Sequence, residues 1–454
     1  MEVCHRHNDP VIIPRAQHNI SRTLINENAL KVLHRLKDAG YAGLLVGGCV
    51  RDLMLGREPK DFDVVTDARP EEIRKLFHNA RVIGRRFRLV HVRFGREIIE
   101  VATFRAIPRD ISEESLSKED EEGEDAENGQ ATDPGGQNIF GSQEEDAVRR
   151  DFTVNALYYD IRDFSVLDYV GGAADLKAGI LRMIGDPVVR YREDPVRMLR
   201  AVRFAAKLAF KIEERTAAPI REFASLLASV PAARMFEEVL KLFHAGYALE
   251  TYELLRHYGL FQFLFPLTEK SLESEEQGFP VTLVPRALAN TDTRVSEGKP
   301  VNPAFLFAAM LWEPVRQQTA ESIARGMNRH DAAHRAAEQV LREQLTHVSI
   351  PKRFSVPMRE IWSMQDRFER RAGMQAFRLL ENKRFRAAYD FLLLRAETGE
   401  TDRALADWWT EFQAAGESER RAMVAAIAPA TGAGKRGRRR RRRRPASGQK
   451  PRHE

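Results

Sequence analysis

Two aspartates separated by one residue, Asp61 and Asp63, close the stretch LLVGGCVRDLMLGREPKDFDVVTD over residues 44–67. On a strand, positions i and i+2 project from one face, so the two carboxylates can share a divalent cation. Fourteen residues before Asp61, Gly47 and Gly48 turn the chain after an apolar run and let backbone N–H groups approach a phosphate. Arg51 falls at the start of the next helical segment, where the helix dipole and a guanidinium both favour an anion. A strand-borne carboxylate pair beside a glycine turn suits phosphoryl transfer, in which charge develops on oxygens that metal ions neutralise. A D-x-D alone is common on solvated strand edges, and a Gly-Gly pair alone is usually only a turn. Their joint spacing, with Arg51 and Asp52 between, is what points to chemistry.

The elements that must position these residues are legible in the periodicity. Residues 25–39 place Ala29, Val32, Leu33 and Leu36 at helical spacing, with Gly40 as a stop. Tyr41 to Val46 reads as a strand, Val50 to Leu55 as a short helix, Phe62 to Thr66 as a second strand, and Pro70 to Phe77 as a helix opened by proline. Arg88 to Phe94 and Glu97 to Phe104 alternate across a turn at Gly95, as an antiparallel pair does. From Pro195 the period is helical almost throughout, over 195–209, 234–245, 248–258, 303–312, 330–345 and 375–396. The expected fold class is α+β, a small mixed-sheet head followed by an all-helical neck and body.

The chain of 454 residues is 43% hydrophobic with a formal charge of +6, and the charge is segregated. Residues 110–133 carry a net −10 and residues 435–454 a net +10, which leaves +6 on the remainder and suits a polyanionic partner. The expected divisions are an N-terminal extension (1–24), a head (25–190) with an acidic flexible insert (107–137), a neck (191–285), a body (286–428) and a disordered arginine-rich tail (429–454). No apolar run approaches the ~20 residues that span a bilayer. The N-terminus lacks the pattern of a secretory signal, and Cys4 and Cys49 are the only cysteines. These features read as a soluble, cytoplasmic protein without zinc or a disulfide framework. His330-Asp331 is no more than a helix start, because no set of further His and Asp ligands accompanies it.

These residues resemble the class II branch of the DNA polymerase beta-like nucleotidyltransferases, which contains bacterial poly(A) polymerases and CCA-adding enzymes. The resemblance runs over residues 12–412. It implies that Asp61 and Asp63 are the catalytic metal-binding pair, that Gly48 and Arg51 contact the triphosphate, and that two Mg²⁺ ions take part. EEDAVRRDFTVNAL (144–157) is similar to a second motif, in which Arg150 meets the nucleotide and Asp151 is a further essential carboxylate. As consecutive residues, Arg149, Arg150 and Asp151 are expected to point apart.

EDPVRMLRAVRFAAK (193–207) resembles the nucleotide-selecting helix. Asp194 suits its N-cap, and Arg197, Arg200 and Arg203 recur on one side. The resemblance assigns Asp194, Arg197 and Arg200 to ATP. It makes Glu100 a third carboxylate facing the aspartates, the alternative being an ordinary pair with Arg105 or Arg96. It makes Arg234 and Glu238, four apart, a structural brace.

Residues 84–95, 137–146, 300–312 and 383–397, with the arginine tail, are similar to the poly(A) polymerase branch. The implied activity is template-independent addition of AMP from ATP to RNA 3′ ends with release of pyrophosphate. The competing readings are a CCA-adding tRNA nucleotidyltransferase and an RNA-binding protein with an inactive head.

Overall fold

In the computed structural model, α1 (Glu27–Asp38) shows how the sequence builds the head: Ala29, Val32, Leu33 and Leu36 form its buried stripe, and Asn26 caps its start by accepting the N–H groups of Asn28 and Ala29. The structure describes residues 9–84, 88–106, 140–273, 275–276, 279–280 and 282–427. The acidic insert and the arginine-rich tail lie outside the described residues.

α1 packs on an eight-stranded mixed sheet. Its strands are β1 (Val11–Ile13), β2 (Gly43–Val46), β3 (Asp63–Thr66), β4 (Ala80–Ile83), β5 (Leu89–Phe94), β6 (Glu97–Thr103), β7 (Leu157–Asp160) and β8 (Val166–Asp168). They are ordered β1-β8-β7-β2-β3-β6-β5-β4. β3 and β6 run parallel, and every other pairing in the sheet is antiparallel. β2 is buried along its whole length, as a central strand flanked by β3 and β7 must be. Val11–Ile13 pairs with Val166–Asp168 and supplies the edge strand of this sheet.

α2 (Gly48–Met54) leaves β2 directly, and α3 (Pro70–Leu76) follows β3. α4 (Gln143–Val148), α5 (Gly172–Ala178), α6 (Pro187–Glu193) and α7 (Val196–Leu208) then carry the chain from head to neck. Ile180–Leu181 pairs in parallel with Lys211–Ile212, and Arg182 reaches both Asp175 and Glu213, so sheet and ion pairs tie the two parts together. One apolar cluster runs through head, neck and body from Ile20 to Leu394.

The body is helical, as its period predicts, with two refinements. The run at 303–312 belongs to two helices, Pro303–Met310 and Trp312–Ala324. The run at 375–396 is also two, Met374–Leu380 and Phe385–Glu397, parted where Glu381 to Arg384 carry no apolar stripe. A second cluster gathers here around Trp409, whose ring meets Phe368, Phe385 and Phe412 at 5.1, 5.7 and 5.4 Å. Burial of each such aromatic contributes about 1.5–3 kcal/mol. Among the described residues no helix is long and apolar enough to cross a membrane.

Candidate nucleotidyltransferase site

β3 begins at Asp63, so Asp61 and Phe62 lie on the approach to the strand rather than within it. Both aspartates still line one groove of about 1090 Å³, together with His91, Arg96, Glu97 and Glu100. Asp63 and Glu100 are register partners across the parallel β3–β6 pair. Glu100 meets His91, its register partner on β5, at 3.5 Å.

The Asp63 side chain opens to solvent at the groove floor yet is crowded by protein on its other sides. This partial desolvation, followed by the charge of Glu100, pushes its carboxyl up to about 6, with Arg150 opposing and Asp61 adding to the shift. Among the described residues no group of three or more His, Cys, Asp or Glu converges as a ready-made metal cage. Two carboxylates completed by substrate phosphates and water are the usual arrangement for a small hard cation.

Gly47 sits at φ 77°, ψ −130°, a conformation that only glycine adopts without strain, and it turns the chain from β2 into α2. A Cβ at Gly47 would lie 3.5 Å from Arg150 Nη1, so this guanidinium reaches the glycine turn. Arg150 is held there by Asp146 Oδ2 at 2.9 Å and by the Tyr158 hydroxyl at 3.1 Å. Arg149 bonds the other oxygen of the same carboxylate at 3.1 Å. The expectation that consecutive charges point apart therefore fails for Arg149 and Arg150. They follow α4 at i+3 and i+4 from Asp146, a spacing that returns both to one acceptor. It holds for Asp151, whose carboxylate turns to Arg200 at 2.5 and 2.8 Å. Burial works against ionisation of Asp151, but Arg200, Asn155 and the Phe152 N–H outweigh it and keep the carboxyl below its ordinary range.

Arg51 is buried, with only 2% of its surface exposed. It pairs with Asp52 at 2.7 Å and donates to Asn155 Oδ1 at 2.5 Å. Arg51, Arg200 and Arg203 all lie over the Phe204 ring, at 5.4, 5.4 and 4.5 Å. Met198, Leu199, Ala201, Val202 and Ala205 take the buried side of α7, which leaves Arg200 on the side that meets Asp151.

Asp194 ends α6, and its Oδ1 accepts the Val196 N–H at 3.2 Å, so it serves the next helix as the sequence suggests. Its Oδ2 takes Arg234 at 2.7 Å. Arg234 is thus not braced by Glu238, which pairs with Lys241 instead. Arg197 donates to Glu193 at 2.6 Å. Sequence reasoning misses Asn155, Asp146 and Tyr158, whose partners are remote in the chain or lie on another element, although the RRDFTVNALYY segment holds two of the three.

The carboxylate pair thus stands at the head of a central strand, with a glycine turn beside it and the arginines of a neck helix bonded to the head through Asp151. Residues 44–182 match the family model described as the poly A polymerase head domain, 209–272 the probable RNA and SrmB-binding site of polymerase A, and 325–445 the polymerase A arginine-rich C-terminus. The chain is 52% identical over 419 residues to poly(A) polymerase I of Escherichia coli O6:H1, covering 91% of this chain and 88% of that protein. It is 46% identical over 424 residues to poly(A) polymerase I of Haemophilus influenzae, covering 92% and 91%. Among solved structures, the CCA-adding enzyme of Bacillus stearothermophilus in complex with CTP is similar at a TM-score of 0.56 and 26% identity, over 88% of this chain and 82% of that one. The chain belongs to the bacterial poly(A) polymerase family of nucleotidyltransferases. Membership implies use of a divalent metal ion.

Proposed function

We propose that this chain is a polynucleotide adenylyltransferase that adds AMP from ATP to RNA 3′ ends, without a template and with release of pyrophosphate. The observation that carries the reading is the pairing of Asp63 with Val46, which sets the acidic groove beside the glycine turn that Arg150 reaches. Asp61 and Asp63 supply hard carboxylate oxygens, and the raised Asp63 carboxyl marks a site that gains from a cation. They fit divalent ions, read here as two Mg²⁺, which when bound would lower the pKa of the RNA 3′-hydroxyl and neutralise phosphate charge.

The other residues bind and orient. Arg150, fixed by Asp146 and Tyr158, directs one guanidinium nitrogen to the glycine turn, where the triphosphate would lie along with the backbone of Gly48. Arg51 supports the turn from beneath through Asp52 and Asn155, and its charge acts on the phosphates through the turn. Asp151 acts by orienting Arg200, while Asp194 and Arg197 face the base and choose adenine over cytosine. Rejection of the wrong base rests on polar groups left unpaired, at about 1–3 kcal/mol each. In the reaction the RNA 3′-oxygen bonds to the α-phosphorus as the bond to the β-phosphate oxygen breaks, so no covalent enzyme intermediate is needed.

Purified protein incubated with a short RNA and each nucleoside triphosphate separately, resolved on a gel, tests this. Long ladders with ATP are expected. Short additions of C and A would replace the reading with a CCA-adding one, and no extension with any nucleotide would leave an RNA-binding protein.

A further inference from the structure

Arg190, on α6, makes an unusual set of bonds. Its side chain is only 15% exposed, and its Nη2 donates to the carbonyl oxygens of Arg149 and Arg150 at 2.6 and 2.7 Å. These carbonyls lie at the C-terminal end of α4, where helical partners run out. The peptides that follow them are the ones from which Arg150 departs toward the glycine turn and Asp151 toward Arg200. The same guanidinium donates from Nη1 to Glu193 Oε2 at 3.1 Å. Glu193 Oε2 also receives Arg197 Nη1, which in turn donates to the Arg190 carbonyl at 2.7 Å.

We infer that Arg190 is a positioning residue for the transfer reaction, fixing the Arg149–Asp151 backbone so that Arg150 is aimed at the triphosphate, and linking that aim to Arg197 through Glu193. The inference rests on the role proposed for Arg150 above. Satisfying the end of α4 would by itself stabilise the fold only. A guanidinium that grips the two peptides flanking Arg150 also sets where the Arg150 side chain leaves the chain, because a backbone held at two successive carbonyls cannot rotate about the bonds between them. Arg150 reaches the glycine turn over several rotatable bonds, so a small backbone shift moves its tip by an ångström or more.

Arg190→Met in the full-length chain keeps the aliphatic stem and removes every donor. It is expected to lower kcat/KM for ATP by roughly 100-fold, the scale of an ångström-sized misplacement, with RNA affinity in filter binding close to wild type and a melting temperature lowered by the loss of the donor to two helix-end carbonyls. Arg150→Met is expected to fall comparably, and the double variant by far less than the product of the two losses, since the aim of Arg150 is then gone and only the links to Asp151 and Arg197 are left to disturb. Losses that multiply, or a wild-type kcat/KM for Arg190→Met, overturn the inference and leave the proposed function standing. Wild-type kinetics for Arg150→Met would instead overturn the reading on which it rests. If Arg190→Met does not fold, Arg190→Gln, whose amide nitrogen falls two bonds short of the position from which Nη2 bonds both carbonyls, takes its place in the cycle with the same outcomes.

Discussion

Asp63 and Glu100 face each other as register partners on the parallel strands β3 and β6, and His91 closes on Glu100 from β5 at 3.5 Å. Partial desolvation first, and then repulsion from the neighbouring Glu100 carboxylate in the same groove, raise the Asp63 carboxyl to about 6 against an ordinary 3.8. Because the folded value lies above the unfolded one, the stability linked to protonated Asp63 is complete below the unfolded value and is lost as pH rises through the folded value. Asp63→Asn is therefore expected to raise the melting temperature of the metal-free protein at about pH 8, to matter less at about pH 5, and to abolish AMP incorporation at both. Melts in the presence of a chelator, run beside gel extension in Mg²⁺, check this. Normal extension by the variant would remove Asp63 from the metal-binding pair.

Gly47 and Gly48 are adjacent but unequal. At Gly47 the positive φ strains any other residue, whereas the space for a Cβ is ordinary, with the nearest atom 3.5 Å away. Gly47→Ala is expected to cost about 1–3 kcal/mol in denaturant titrations and to slow extension, since the turn would shift against Arg150. Gly48 has no positive φ, and a Cβ there would meet Arg51 Nη2 at 3.6 Å. Gly48→Ala is expected to change stability by less than about 0.5 kcal/mol. Equal destabilisation by the two substitutions would refute the backbone argument.

The Asp151–Arg200 pair joins the head to α7. Asp151→Asn would leave the part-buried Arg200 without its ionic partner, a loss of about 1–3 kcal/mol at neutral pH. Since the Asp151 carboxyl is held below its ordinary range, its contribution is present above the unfolded pKa and disappears as pH falls through the folded one. Stability of the variant should consequently fall less steeply with acid than that of wild type. Parallel acid limbs for the two proteins would show that this pair is not linked to folding.

The tail segment Lys435 to Arg444 carries nine Lys or Arg among ten residues, with no aromatic residue for base stacking. Truncation at Gly434 is expected to weaken RNA binding at low salt and to flatten its salt dependence. The log–log slope should shrink by about 0.7 for each phosphate that the tail neutralises, while the preference for ATP over CTP is kept. RNA affinity across a salt series measures it. Superimposable slopes would deny the tail a binding role.

Much of the site is local in sequence and could be read there. Gly47, Gly48, Arg51, Asp61 and Asp63 fall within one strand-turn-helix-strand unit, and such a unit sets its own geometry through glycine torsions and the alternation of a strand. Helical periods likewise follow from short-range spacing, which is why α1 and α7 have the buried stripes their sequences predict. The arginines of α7 could be named from sequence, but their partners could not. Arg51 and Asn155 are 104 positions apart, and Arg200 and Asp151 are 49 apart.

Only the packed sheet and the head–neck junction decide such pairs. The register of β3 on β6 brings Glu100 to Asp63, and the C-terminal turn of α4 returns Arg149 and Arg150 to one carboxylate. The close of α6 against that turn delivers Arg190 to two backbone carbonyls that no side-chain pattern announces. Residue type and spacing thus determined which chemistry this chain can carry. Which charges neutralise one another and which stay aimed at the substrate depends on long-range register and burial, because an ion pair forms only between groups that folding brings within a few ångströms and shields from water.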